Sequence, residues 1–149
     1  MGIPVLPFSR LDNQVEKPKP EGYVLYPETI GEHIRNKRLD QKLLQRDLAV
    51  LFETSEDSIT NWENNNSVPQ IRFMPKIIAF LEYYPFEIKN TLGSRIQKYR
   101  YEYGLSHKKF GKLVGVDGGT VSRWENEECL PRKFIKLEEI IKETTPGEF

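Results

Sequence analysis

The chain has little of what most metal and redox chemistry needs. It contains one cysteine, Cys129, and two histidines, His33 and His107. A lone thiol excludes an intrachain disulfide, and this set is too small for a Cys/His zinc cage. Neither sign of charge is in excess: 22 Lys and Arg balance 22 Asp and Glu, so net charge argues neither for nor against a nucleic-acid partner. No apolar run approaches the ~18–20 residues of a membrane helix. The opening MGIPVLPF lacks a basic stretch followed by an apolar core, so no secretory signal is expected, and Leu6 breaks the myristoylation pattern behind Gly2. These absences predict a soluble cytoplasmic protein with no membrane partner. There are no paired carboxylates in a cleft-like context, no nucleophile beside a base, and no metal spacing. The glycines Gly115, Gly118 and Gly119 are not followed by the Lys-Ser/Thr of a phosphate loop. We therefore expect no enzyme, no cofactor and no metal.

What the chain does have is an internal repeat. At an offset of 62, Thr29, Gly31, Ile34, Arg38, Leu43 and Leu51 fall on Thr91, Gly93, Ile96, Arg100, Leu105 and Leu113. Trp62, Glu63, Asn64 and Pro69 likewise fall on Trp124, Glu125, Asn126 and Pro131. The length of 149 residues suggests one domain, but the repeat suggests two. We read an extended N-terminal arm over 1–28, a first domain over 29–83, a linker over 84–90, a second domain over 91–143 and a tail over 144–149. The arm holds five of the ten prolines. Its Lys17 and Lys19 either reach a minor groove or touch nothing in particular. The linker region is aromatic, and Tyr83, Tyr84 and Phe86 are expected to pack between the copies.

Each copy reads as all-α, four to five helices, with no strand alternation. In the first, Ile30, Ile34 and Leu43/Leu44 form one apolar stripe, and Gln45 to Leu51 is a short helix with Leu48, Ala49, Leu51 and Phe52 inward. Ser55 caps a further helix that turns Ile59 and Trp62 to the core and ends at Asn64-Asn65. Phe73/Met74, Ile77/Ile78 and Leu81 make the last helix. In the second copy, Leu92, Ile96 and Tyr99 lead in, His107 to Val114 is the short helix, Asp117 caps the next, Val121 and Trp124 face inward, and Phe134, Leu137, Ile140 and Ile141 close it. The two Trp residues are core residues rather than stacking platforms, because they share the phase of Ile59 and Val121.

A helix, a tight turn and a second helix form the unit that fits a major groove. It needs a small residue where the helices cross, a residue tolerant of positive φ at the turn, and a branched apolar residue facing the core. These are Ala49, Glu53 and Ile59 in the first copy and Gly111, Gly115 and Val121 in the second. Glu53 alone departs, so its turn is expected to be strained or differently shaped. Both copies, TIGEHIRNKRLDQKLLQRDLAVLFETSEDSITNWENN and TLGSRIQKYRYEYGLSHKKFGKLVGVDGGTVSRWENEE, resemble the Cro/C1-type (XRE) helix-turn-helix family. The resemblance implies two tandem lambda-repressor-like helix-turn-helix domains and a transcriptional regulator that binds double-stranded DNA. It also implies structural ion pairs, Arg38 with Glu63 and Arg100 with Glu125.

Under the same resemblance, DNA contacts fall on Gln45, Arg46, Ser55, Glu56, Asp57, Ser58, Asn61 and Asn64 in the first copy. In the second they fall on Ser106, His107, Lys108, Gly118, Gly119, Thr120, Arg123 and Asn126. Gln45 and Asn61 suit adenine, Glu56 suits cytosine and Arg123 suits guanine. The copies differ electrically. Over 44–64 one base, Arg46, stands against Asp47, Glu53, Glu56, Asp57 and Glu63. Over 106–126 four bases, Lys108, Lys109, Lys112 and Arg123, stand against Asp117 and Glu125. Phosphate neutralisation dominates DNA affinity, so the second copy is the better binder. Two readings of the first remain open: it reads DNA despite its acids, or it docks a protein partner or a second chain in a homodimer. A helix-turn-helix-derived interaction module, antitoxin-like, is the alternative for the whole chain.

Overall fold

The computed structural model describes residues 17–132 and 134–143. Residues 1–16 of the arm, Lys133, the tail over 144–149 and the side chains of Phe134, Ile135 and Glu143 lie outside the described residues. Among the described residues every regular element is helical, with no strand. The first half runs α1 (Ile30–Asp40), α2 (Gln45–Phe52), α3 (Glu56–Glu63), a 3-10 turn (Ile71–Phe73) and α4 (Met74–Leu81). The second runs α5 (Leu92–Tyr103), α6 (His107–Val114), α7 (Gly118–Glu125) and α8 (Phe134–Glu143). None of these helices is long and apolar enough to cross a membrane.

Polar side chains set the helix starts. Thr29 accepts from the Glu32 amide at 3.2 Å, and the Glu32 carboxylate reaches back to the amides of Thr29 and Glu28, a capping box that holds its carboxyl below the usual range. Thr91, Ser55, Ser106 and Asp117 cap α5, α3, α6 and α7 by accepting a first-turn amide, without the return bond of the box. Leu44 cannot cap α2, and there the Asp47 carboxylate accepts the Leu44 amide at 2.7 Å.

The stops also repeat. Left-handed backbone occurs at Lys42, Glu53 and Asn65, and 62 residues on at Gly104, Gly115 and Glu127. The turn at Glu53 (φ 55°, ψ 48°) thus has the shape of the turn at Gly115 (φ 82°, ψ 32°), and a side chain occupies a conformation that favours glycine.

Two cores result. One joins Ile34, Leu48, Phe52, Ile59, Trp62 and Ile77. The other joins Ile96, Tyr99, Phe110, Val121, Trp124 and Leu137. In each half the first helix crosses the third backbone to backbone. A Cβ on Gly31 would lie 1.7 Å from the Trp62 carbonyl oxygen, and one on Gly93 would lie 2.4 Å from that of Trp124. The small residue at the α6 crossing is equally forced, since a Cβ on Gly111 would lie 2.5 Å from the Val116 carbonyl.

Three expectations need correction. Leu44 and Leu51 are about half exposed rather than inward. Because α1 stops at Asp40, only Leu43 reaches the core, and α2 buries the arc of Leu48, Ala49 and Phe52, which leaves Leu51 outside it. The end of the arm is docked rather than freely extended: buried Asn36 of α1 accepts the Val24 amide at 2.9 Å and donates to its carbonyl at 2.7 Å. Within that segment Lys19 lies 4.7 Å above the Tyr23 ring. Of the linker aromatics, Tyr84 and Phe86 pack against Tyr101 of α5 where α4 meets α5, with Phe86 also on the first core. Tyr83 instead turns back to His33 of α1, its hydroxyl 2.7 Å from Nδ1.

Candidate nucleic-acid interface

The inward phase of each helix decides which side chains are left for a partner. In α6, Phe110 and Gly111 face the core, which puts Lys108, Lys109 and Lys112 on the surface. In α7, Val121 and Trp124 face inward, so Gly119, Arg123 and Asn126, spaced by four and three, lie on the outward side. The first half repeats the plan: Ile59, Trp62 and Glu63 are buried, and Asp57, Asn61 and Asn64 are exposed.

One carboxylate per half ties three helices together. Glu63 accepts from Arg38 Nε at 2.6 Å and Nη2 at 2.9 Å, and from Gln45 Nε2 at 2.9 Å. Arg38 Nη1 donates to the Leu43 carbonyl at 3.0 Å. In the second half Arg100 Nη2 lies 2.9 Å from Glu125 Oε2, its Nε bonds Oε1, and its Nη1 donates to the Leu105 carbonyl at 3.0 Å. His107 Nε2 stands where Gln45 does, 2.9 Å from Glu125 Oε2. The pairs lock the first helix to the loop after it and to the base of the third. Fork-to-carboxylate geometry of this kind is specific in direction as well as strong.

Several residues expected to meet DNA are thereby engaged within the chain. Gln45 donates to Glu63 and accepts from the Thr60 hydroxyl at 2.9 Å, and His107 is turned to Glu125. Asn64 accepts from Arg35 at 2.6 Å. Ser55 and Ser58 bond each other, and the Thr120 hydroxyl and amide bond Asp117, which holds the Asp117 carboxyl below the ordinary range. Among the described residues no hydrogen bond or ion pair engages the side chains of Arg46, Glu56, Asp57 and Asn61 in the first half, or of Lys108, Lys109, Lys112, Arg123 and Asn126 in the second. Gly118 packs against the start of α6, close to His107 and Lys108, and Gly119 is exposed. Ser106 serves as the α6 cap.

Sequence reasoning did not single out Arg35, which bonds Asn64 and approaches Glu63 Oε2 at 3.7 Å, nor the tie from Gln45 and His107 to the buried carboxylates. The offset alignment held a signal for the latter, since Gln45 and His107 occupy one position and share the ability to donate to a carboxylate. Chemically, the second half offers Lys108, Lys109, Lys112 and Arg123 on two packed helices and the Asn126 amide just past α7, none with a side-chain partner among the described residues. No family model, curated protein or solved structure matches the chain.

Proposed function

We propose that the chain is a sequence-specific double-stranded DNA-binding regulator of transcription, built of two helix-turn-helix domains of Cro/C1 type. The observation that carries this reading is the set Lys108, Lys109, Lys112 and Arg123. These are four cations on adjacent helices with no acid paired to any of them among the described residues. In this reading α7 enters the major groove, Arg123 and Asn126 face base edges and phosphates, and Lys108 neutralises a phosphate at the start of α6. The function is binding, with no chemical step and no cofactor, and the protein works in the cytoplasm. Selection of bound sequences from random duplexes, followed by titration at several salt concentrations, tests it. A defined preferred site and a steep loss of affinity with salt are expected, and equal weak binding to all duplexes would overturn it.

A second reading, docking of a protein through the first half, is favoured by a separate observation. Leu44, Val50, Leu51 and Val68 are exposed there, and the exposed acids Glu56 and Asp57 of the same half have no cation paired to them among the described residues.

A further inference from the structure

Two arginines of α1 reach the base of α3. Arg38 takes both oxygens of Glu63, and Arg35 brings its Nε to 3.7 Å from Glu63 Oε2. The Glu63 side chain is fully buried, whereas that of Arg35 is 24 % exposed. Two guanidinium groups thus stand on one carboxylate, and the cluster keeps one positive charge on its solvent side.

Arg35 also sets the direction of Asn64, the residue that ends α3. Its Nη2 donates to Asn64 Oδ1 at 2.6 Å, so the Asn64 amide turns its two N–H donors away from the guanidinium. Asn64 is exposed, and its Nδ2 bonds no group among the described residues. The same holds for Arg35 Nη1. Glu32, the acid one turn earlier on α1, is already taken by the amides of Glu28 and Thr29 and by Asn65. Unused N–H donors and an uncompensated charge therefore lie side by side, the chemistry that receives a phosphate.

The second half is built otherwise. Gln97 stands 62 residues after Arg35, and Arg100 and His107 hold Glu125 without a second guanidinium. Its exposed cations come from α6 and α7 instead. A charge count over 44–64 includes Glu63 but misses the two arginines of α1 that more than neutralise it.

We propose that Arg35 and Asn64 form a phosphate clamp, binding one phosphodiester group of duplex DNA beside the end of α3. Asn64 Nδ2 and Arg35 Nη1 donate to the phosphate oxygens, and the charge that Glu63 leaves over balances that of the phosphate. This rests on the DNA-binding reading and gives the first half a backbone contact of its own, one that positions the protein without reading sequence.

Titration of the whole chain against two labelled duplexes, the preferred site and an unrelated sequence, at several salt concentrations tests the clamp. Arg35→Gln, which installs the residue that the second half has at Gln97, is expected to weaken binding about equally on both duplexes and to lower the magnitude of the salt slope by about one. Arg35→Lys keeps the charge and is expected to keep the slope. A merely structural role would shift the melting temperature and leave the slope alone. A folded Arg35→Gln with the wild-type slope, while Lys108→Ala lowers it, would overturn the clamp and leave the DNA-binding reading standing. A wild type whose binding does not respond to salt would remove both. Should Arg35→Gln fail to fold, Gln97→Arg decides: a slope steeper by about one supports the clamp, and an unchanged slope overturns it.

Discussion

Arg100 closes on Glu125 with two nitrogens and turns its third to the Leu105 carbonyl, so one guanidinium fixes both the third helix and the loop before the second. Its side chain is only 4 % exposed. Removing either partner strands the other charge away from water, and a buried pair broken in this way costs ~3–5 kcal/mol. Arg100→Ala and Glu125→Ala are each expected to lower stability by about that amount in denaturant melts. A loss below ~0.5 kcal/mol would mark the pair as solvated.

Lys42 and Gly104 share one left-handed backbone position, at φ 56° and 66°. Lys42→Gly relieves a steric cost of ~1–2 kcal/mol, partly offset by the freer unfolded chain, and is expected to stabilise by ~0.5–1 kcal/mol. Gly104→Lys is expected to destabilise by more than this, because a Cβ there also meets Pro75 at 3.1 Å. Glu53→Gly is expected to stabilise less than Lys42→Gly, because it also gives up the exposed ion pair of Glu53 with Lys76. Chemical denaturation of the three variants measures the set, and a stabilised Gly104→Lys would refute the argument.

The Asp117 cap makes part of the stability depend on pH. Hydrogen bonds from Thr120 lower its folded pKa below the ordinary aspartate value of ~3.9. A depressed carboxyl supplies stability that is present above the unfolded value and lost as pH falls through the folded one. Asn caps comparably without titrating. Wild type should therefore lose stability relative to Asp117→Asn as the pH is lowered below about 4, and parallel curves would deny the charge a role.

On duplex DNA, Lys108→Ala should weaken binding about equally on all sequences and reduce the magnitude of the salt slope by about one. Arg123→Ala should cost ~1–3 kcal/mol on the preferred site and relax one base position. Arg46→Ala should do less than Lys108→Ala. Titration of labelled duplexes at several salt concentrations ranks the three. A dominant effect of Arg46 would show that the first half reads DNA despite its acids, and no effect of any would move the docking reading to the front.

The sequence carried the helical phases where polar caps and apolar spacing agree. The span His107–Val114, the Asp117 cap and the inward Trp124 could all be read from it because each is set within one turn of chain. Leu44 and Leu51 misled because a short helix with apolar residues on several sides does not reveal which arc is buried. Contact with α3 and α4 decides that. The Asn36 clasp on the arm, the turn of Tyr83 toward His33, and the capture of Gln45 and His107 by buried carboxylates join residues 12, 50 and 18 positions apart. No local pattern encodes such meetings.

The hydroxyl of Tyr84 is enclosed at the seam of the two halves and bonds no group among the described residues. An unsatisfied polar group shut away from water carries a penalty of ~1–3 kcal/mol, which is refunded when the seam parts. The seam is therefore expected to part before either core does. On warming, the halves should come apart while both cores are still intact, and amide exchange should reach the start of α5 before it reaches Ile34 or Val121. Tyr84→Phe removes the hydroxyl and keeps the ring, and it should merge these two steps into one.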